Sequence, residues 1–310
     1  MMKINEMKDG TRGKFLVLVN SMTKGVTTKG ATYLSFVFQD KTGNIDAKYW
    51  SPTANEVAIL KPGMILEVDG EVLSYNKQLQ MKVNGVKVID RSTIDLNDFI
   101  KEGEIPRSEL KKNISSVIDS FENQTLKALI IKVMEQYELD FYNYPAAAKI
   151  HHDFVGGLAT HVWGMMKLAM SICEIYPSLN KELLLTGVIL HDIGKCKELS
   201  GPVITEYTVE GKLLGHISIM QAVVAQVAKD NGLEGEETMV VRHMILSHHG
   251  EYEYGSPILP MIPEAEILHY IDNIDARMNV FGKIYEGIEA GEFTPRQFAL
   301  ENRAFYKSKL

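Results

Sequence analysis

Near residue 108 the spacing of apolar residues changes from every second position to every third or fourth, so no single fold class accommodates the whole chain. Before that point residues 14–20 are rich in β-prone side chains, and residues 32–39 alternate around Leu34, Phe36 and Phe38. A turn at 40–43 (DKTG) leads into residues 44–50, where Ile45, Ala47 and Tyr49 alternate with Asp46, Lys48 and Trp50. Residues 65–72 and 78–89 follow a Lys-Pro-Gly turn at 61–63, the second broken at Asn84-Gly85. Five short strands with turns at these intervals predict a small closed barrel over 1–90. Residues 91–107 have weak periodicity and are expected to be a linker. From Ser108 the stripe Leu110, Ile114, Val117, Ile118 and Phe121 is helical. Further helices are expected at 126–137, 158–176, 181–192, 215–231, 236–249 and 264–282, punctuated by Gly and Pro. The expectation is an all-β barrel followed by an all-α domain over 108–310.

The composition sets the class. Of 310 residues, 45% are hydrophobic and 24% charged, as in ordinary globular proteins. The two cysteines, Cys173 and Cys196, form no CxxC, which argues against a disulfide framework and a thiolate zinc site. No apolar run approaches the roughly 20 residues of a membrane helix, and MMKINEMKDG contains no signal-like apolar stretch. A cytoplasmic protein without a membrane partner is expected. The net charge of −7 is unevenly spread. Residues 1–90 carry 12 Lys+Arg against 9 Asp+Glu, whereas the remainder carries 21 against 31 together with all nine histidines. A mildly basic part therefore precedes an acidic part rich in metal-ligating side chains.

The segment YLSFVFQDKTGNIDAKYW resembles the strand–turn–strand centre of nucleic-acid-binding OB-folds. Alternation assigns Leu34, Phe36 and Phe38 to the barrel interior. Tyr33, Lys48, Trp50, Tyr75, Lys77 and Lys82 are the candidates for an outer face. There aromatic rings stack on unpaired bases and lysines neutralise phosphates. Singly, each lysine reads as solvated charge and Trp50 reads equally well as packing; together they predict a surface for single strands.

The histidines of the second part form a set. His161 follows the turn in GGLATH, His191-Asp192 ends the run ELLLTGVIL and opens HDIGK, and His216 lies near the start of a helix. His248-His249 sits at a helix end with Gly250 placed as its cap, and Asp272 lies in HYIDNIDA. A lone histidine is most simply a core or capping side chain. A His-Asp ending an apolar helix and a His-His pair beside a core are costly without partners. The order H…HD…H…HH…D resembles the HD superfamily of metal-dependent phosphohydrolases. Imidazole and carboxylate donors without thiolate suit Mn²⁺, Fe²⁺ or related octahedral metals better than structural Zn²⁺, and the resemblance implies Mn²⁺, with Fe²⁺, Co²⁺ or Mg²⁺ as further candidates.

That resemblance implies two divalent ions, one held by His161, His191, Asp192 and Asp272, the other by Asp192, His216, His248 and His249. Asp192 would bridge them, and such a pair activates water and stabilises the leaving oxygen. Lys195, three residues after Asp192, is the candidate for contact with the scissile phosphate, and Arg242 is a second phosphate candidate. Asp275 shares the face of Asp272 and competes with it for the ligand role. His151 and His152 are read equally as channel-lining or surface residues, and His243 and His269 as structural. Cys196 is read as a small buried side chain rather than a nucleophile.

An OB-like domain preceding this HD domain, with FVGGLATH, LHDIGK, SHHGEYEYGSP and the aspartate helix, resembles the YhaM family of Gram-positive bacteria. The resemblance implies a Mn²⁺-stimulated 3′→5′ exoribonuclease acting on single-stranded RNA, and on single-stranded DNA as a further substrate. Two other readings stay open. One is an HD phosphodiesterase of a small or cyclic nucleotide, though Gly250 stands where cyclic-dinucleotide enzymes have Glu and no GYP follows. The other is a non-catalytic nucleic-acid-binding replication factor, which would have no use for so complete a ligand set. Oligomeric state is not legible.

Overall fold

A computed structural model describes residues 2–28, 30–75, 78–90, 94, 98–99, 103–146, 154–201 and 205–310. Two compact units divide the chain, residues 1–102 and 103–310. In the first, β1 (Arg12–Val26), β2 (Thr32–Asp40), β3 (Gly43–Tyr49), β4 (Ile65–Tyr75) and β5 (Gln78–Ile89) close a barrel in the order β1-β2-β3-β5-β4. All pairs are antiparallel except β3 with β5. Alternation explains the packing. Leu34, Phe36 and Phe38 of β2 and Ile45, Ala47 and Tyr49 of β3 are buried, as expected from their period of two.

Several details differ from the sequence reading. The Asn84-Gly85 break is a bulge: Asp69 pairs with Gly85 and Gly70 with Val83, so Asn84 is the extra residue and β5 runs on. A short helix, α1 (Ala54–Ile59), follows β3, started by a capping box in which Thr53 accepts from Glu56 N and Glu56 accepts from Thr53 N. Finally, Asp98 and Phe99, within the stretch expected to link the domains, belong to the first unit. Phe99 is buried, its carbonyl accepts from Gln39 Nε2, and the Asp98 carbonyl accepts from Lys41 N.

The second unit is helical: α2 (Arg107–Asp119), α3 (Gln124–Phe141), α4 (Gly157–Ile175), α5 (Lys181–Leu190), α6 (Lys195–Glu198), α7 (Val209–Asp230), α8 (Glu236–Ser247) and α9 (Pro263–Glu286). Its core centres on α5, where every residue from Leu184 to Leu190 is buried. A helix apolar on all sides must be surrounded, and α3, α4, α8 and α9 pack on it. Helix α7 starts six residues earlier than its apolar stripe predicts and bends at Gly215, whose φ of +70° lies in the left-handed region. Among the described residues no helix is long and apolar enough to cross a membrane.

Candidate metal centre

Packing of α4, α5, α7, α8 and α9 brings seven predicted donor residues together. His161 shares the buried face of α4 with Leu158, Val162 and Met165. His191 caps α5, and Asp192 is the next residue. His216 comes directly after the Gly215 bend, so its N–H is turned out of the helix to donate to Glu198 Oε1 at 3.1 Å. His248 caps α8, continuing the buried row of Val241, Met244 and Ile245. Gly250, at φ +77°, turns the chain away after His249 and donates to Ser247 O. Asp272 projects from α9.

Asp192 lies at the middle, 2% exposed. Its Oδ2 is 3.3 Å from His191 Nε2 and 3.9 Å from His161 Nε2, and its Oδ1 is 3.5 Å from His216 Nε2 and 3.8 Å from His248 Nε2. Each carboxylate oxygen thus faces its own pair of imidazoles. Asp272 Oδ1 lies 3.2 Å from His161 Nε2. Donor atoms of His161, His191 and Asp192 lie within 4.8 Å of one another, as do those of His216, His248 and His249, and those of His191, His248 and Asp272.

All five imidazoles are oriented through Nδ1. His191 donates to Val188 O at 2.9 Å, His248 to Ile245 O at 2.8 Å and His249 to Tyr254 O at 2.6 Å. His161 donates to Asp275 Oδ2 at 2.7 Å and His216 to both oxygens of Glu198 at 3.1 Å. Where Nδ1 carries the only ring proton, Nε2 presents a lone pair inward; at His161, which the flanking aspartates keep protonated, it does so once its second proton is displaced. The buried Nε2 atoms of His191, His216 and His248 and Oδ1 of Asp192 have no hydrogen-bond partner among the described residues. Leaving a buried polar atom unsatisfied costs about 1–3 kcal/mol. Four acceptor atoms converging without a donor fit a divalent cation, and a site of neutral imidazoles and carboxylates is its usual setting.

The charges agree. Burial opposes ionisation of Asp192, but the Lys195 ammonium, 2.6 Å from Oδ2, and His191 outweigh it and hold the carboxyl well below the usual range. Burial likewise opposes the charge on Lys195, and Asp192 outweighs it, keeping the amine protonated. Burial and neighbouring imidazoles push His248 and His249 down, which favours the neutral form a metal ligand needs. Burial also opposes protonation of His161, but Asp272 and Asp275 overcome this and raise it to about 9, so a cation arriving there displaces a proton.

Asp272 and Asp275 divide their work between the two nitrogens of His161, Asp272 facing Nε2 and Asp275 accepting from Nδ1. Glu198, which the sequence reading missed, supports His216 in the same way while itself buried. Losing such a support commonly weakens metal binding about 10- to 100-fold. Metal titration should therefore show losses of that size for Glu198→Gln and Asp275→Asn. Gly164 lies one turn after His161, and a Cβ there would collide with Asp275 Oδ1. Alanine is normally better than glycine in a helix by about 1 kcal/mol, yet Gly164→Ala should weaken metal binding in the same titration because Asp275 must give way. Unchanged affinity in all three variants would show these contacts to be incidental.

His243 accepts from Met261 N, and His269 donates to His248 O, consistent with structural roles. Cys196 is buried, and burial pushes its thiol up, away from nucleophilic reactivity. Arg242 donates from Nε and Nη2 to Gln221 Oε1 at 2.9 and 2.6 Å. His151, His152 and Lys77 lie outside the described residues.

The barrel gathers the remaining candidates on one face. Lys48, Trp50, Tyr75 and Lys82 line a common groove, and the Tyr33 ring lies 5.1 Å from that of Trp50. Lys48 donates to Ser35 Oγ and sits 5.2 Å from the centre of the Tyr33 ring. Trp50 and Tyr75 are 47% and 67% exposed, so neither ring is used in the barrel core.

Comparison with known proteins agrees with both halves. Residues 17–89 match the OB-fold nucleic acid binding domain family and residues 158–277 match the HD domain family. The chain is similar to the 3′-5′ exoribonuclease YhaM of Geobacillus sp. (strain WCH70), at 44% identity over 292 residues, 94% of this chain and 90% of the relative. It is 44% identical to that of Bacillus subtilis (strain 168) over 94% of this chain and 93% of the relative. To that of Bacillus licheniformis it is 42% identical over 96% and 95%.

Proposed function

The chain belongs to the YhaM family of 3′-5′ exoribonucleases, and from that premise we propose that it hydrolyses the phosphodiester bonds of single-stranded RNA, from the 3′ end, at the histidine–aspartate centre. The observation that carries this reading is the division of Asp192, one oxygen toward His161 and His191 and the other toward His216 and His248. His161, His191, Asp192 and Asp272 would hold one divalent ion, and Asp192, His216, His248 and His249 a second, with Mn²⁺ the preferred metal. Bound there, the ions supply Lewis-acid activation of water and of the phosphoryl group.

The side chains of the protein do the rest. The Nδ1 hydrogen bonds fix each imidazole tautomer before any ion or substrate arrives, so little reorganisation is needed. Lys195, held by Asp192 with 12% of its side chain exposed, offers its remaining ammonium protons to a phosphate oxygen. On the barrel, Trp50 and Tyr75 stack on bases while Lys48 and Lys82 track the backbone. The protein would act in the cytoplasm on RNA, with single-stranded DNA as a further substrate.

The test uses single-stranded RNA labelled at the 3′ or the 5′ end, incubated with Mn²⁺, Mg²⁺ or chelator and sized. The 3′ label should leave at once as a short product, the 5′ label should shorten stepwise, and chelator should stop both. Release of the 5′ label first, hydrolysis in chelator, or turnover of a cyclic dinucleotide but not of RNA would each overturn this reading.

A further inference from the structure

Among the described residues the centre is exposed at its edge rather than at its middle. His161, His191 and His248 have fully buried side chains and Asp192 nearly so, whereas those of His216 and Asp272 remain 13% and 18% exposed and His249 is only partly buried. Among the described residues, these three give the centre its opening to solvent. The segment directly after His249 forms a closed turn at this opening. Glu251 O accepts from Tyr254 N and Ser256 N, Tyr252 O accepts from Gly255 N, and left-handed glycines at 250 and 255 bracket the turn. The C-terminal side of the turn is tied back to the residue that precedes it: His249 Nδ1 donates to Tyr254 O at 2.6 Å and His249 N donates to Ser256 Oγ, with Ser256 buried. The position of the turn is therefore set relative to the imidazole.

Two large rings stand on this braced turn. Tyr252 and Tyr254 are 61% and 63% exposed, on a segment whose backbone is already satisfied. An aromatic ring at an accessible position on a braced turn that follows a candidate metal ligand is suited to stacking on an unpaired base. The neighbouring carboxylates select which part of the strand is met. Glu251 and Glu253 are exposed and would repel a phosphate, so the turn suits base faces rather than the backbone.

From this geometry we infer that the turn Glu251–Ser256 is a nucleobase subsite of the cleavage centre, in which Tyr252 and Tyr254 stack on bases at the end of the strand being degraded. The inference rests on the exoribonuclease reading and gives the centre a substrate contact separate from the barrel. It assigns part of substrate selection to the helical unit itself.

The test compares full-length wild type, Tyr252→Ala, Tyr254→Ala, the double variant and the two Phe replacements on one short single-stranded RNA. The same oligonucleotide with abasic sugars at its last three 3′ positions is the control, and metal content is measured for every variant. Wild type should prefer the base-bearing RNA, and the Ala variants should lose about ten-fold or more in kcat/KM on it, the size of one lost stack. On the abasic RNA, wild type and variants should coincide. The Phe variants should behave as wild type, and metal content should not change. Equal losses on both substrates, loss of metal, or an unchanged preference in the double variant would overturn the inference, because the turn would then only brace His249. Failure of wild type to cleave any RNA would remove the exoribonuclease reading and the subsite with it.

Discussion

Asp192→Asn should lose at least about 10³-fold in kcat on single-stranded RNA, a barrier increase of about 4 kcal/mol, while its fold persists. The carboxamide has nearly the same shape, and its oxygen still accepts from Lys195, whose ammonium now sits 2.6 Å from Asp192 Oδ2. What it cannot do is present an anionic oxygen to both imidazole pairs at once. Oδ1 faces His216 and His248, and Oδ2 faces His161 and His191. Replacing one oxygen by NH₂ puts a donor where a cation should sit and removes the central negative charge. Metal binding should therefore fall together with rate, and a circular-dichroism melt should find the helical unit still folded. A variant that retains wild-type turnover and metal content would take Asp192 out of the mechanism. Replacement by Ala is a harsher test, since it strands a buried Lys195 charge as well.

Removal of the barrel should separate binding from chemistry. A fragment of residues 103–310 keeps every residue of the metal centre and a core built from its own helices. It should still cleave a short oligonucleotide at a rate close to that of the full chain. On long RNA its KM should rise by about ten-fold to a thousand-fold and its processivity should disappear. Each base lost from a stacking platform is worth about 1–3 kcal/mol, and the lysine contacts add a salt-dependent part. Trp50→Ala and Lys48→Ala in the full chain should move the same way, more weakly, because each removes one element of the groove lined by Lys48, Trp50, Tyr75 and Lys82. Initial rates at several RNA lengths and two salt concentrations measure this. A folded fragment that degrades long RNA as tightly and processively as the full chain would assign the barrel another role.

Much of this architecture is written in local patterns. The interior of the barrel follows from alternation, since Leu34, Phe36 and Phe38 are all buried on one face. The convergence of donor residues is signalled most clearly by residue type at the ends of α5 and α8, where His-Asp and His-His after apolar runs have no packing explanation. What escaped the sequence was carried by tertiary contact or by segments too short for periodicity. Helix α1 spans six residues, less than two turns, and only its Thr53–Glu56 capping box announced it. The stretch of α7 before the Gly215 bend exposes Val209, Leu213 and Leu214, so it has no amphipathic stripe to read. Glu198 lies in a four-residue helix, and its partner His216 is eighteen residues away. Asp272 and Asp275 are three residues apart on one helix face, and they differ only in which nitrogen of His161 each meets. No one-dimensional pattern encodes that difference.

The most direct measurement is the number of metal ions per chain. Equilibrium dialysis against Mn²⁺ followed by elemental analysis should find two ions per wild-type chain at saturation. His216→Ala should retain one, held by His161, His191, Asp192 and Asp272, with greatly lowered hydrolysis. One ion per wild-type chain at saturation, with His216→Ala fully active, would contradict a two-ion centre built on Asp192.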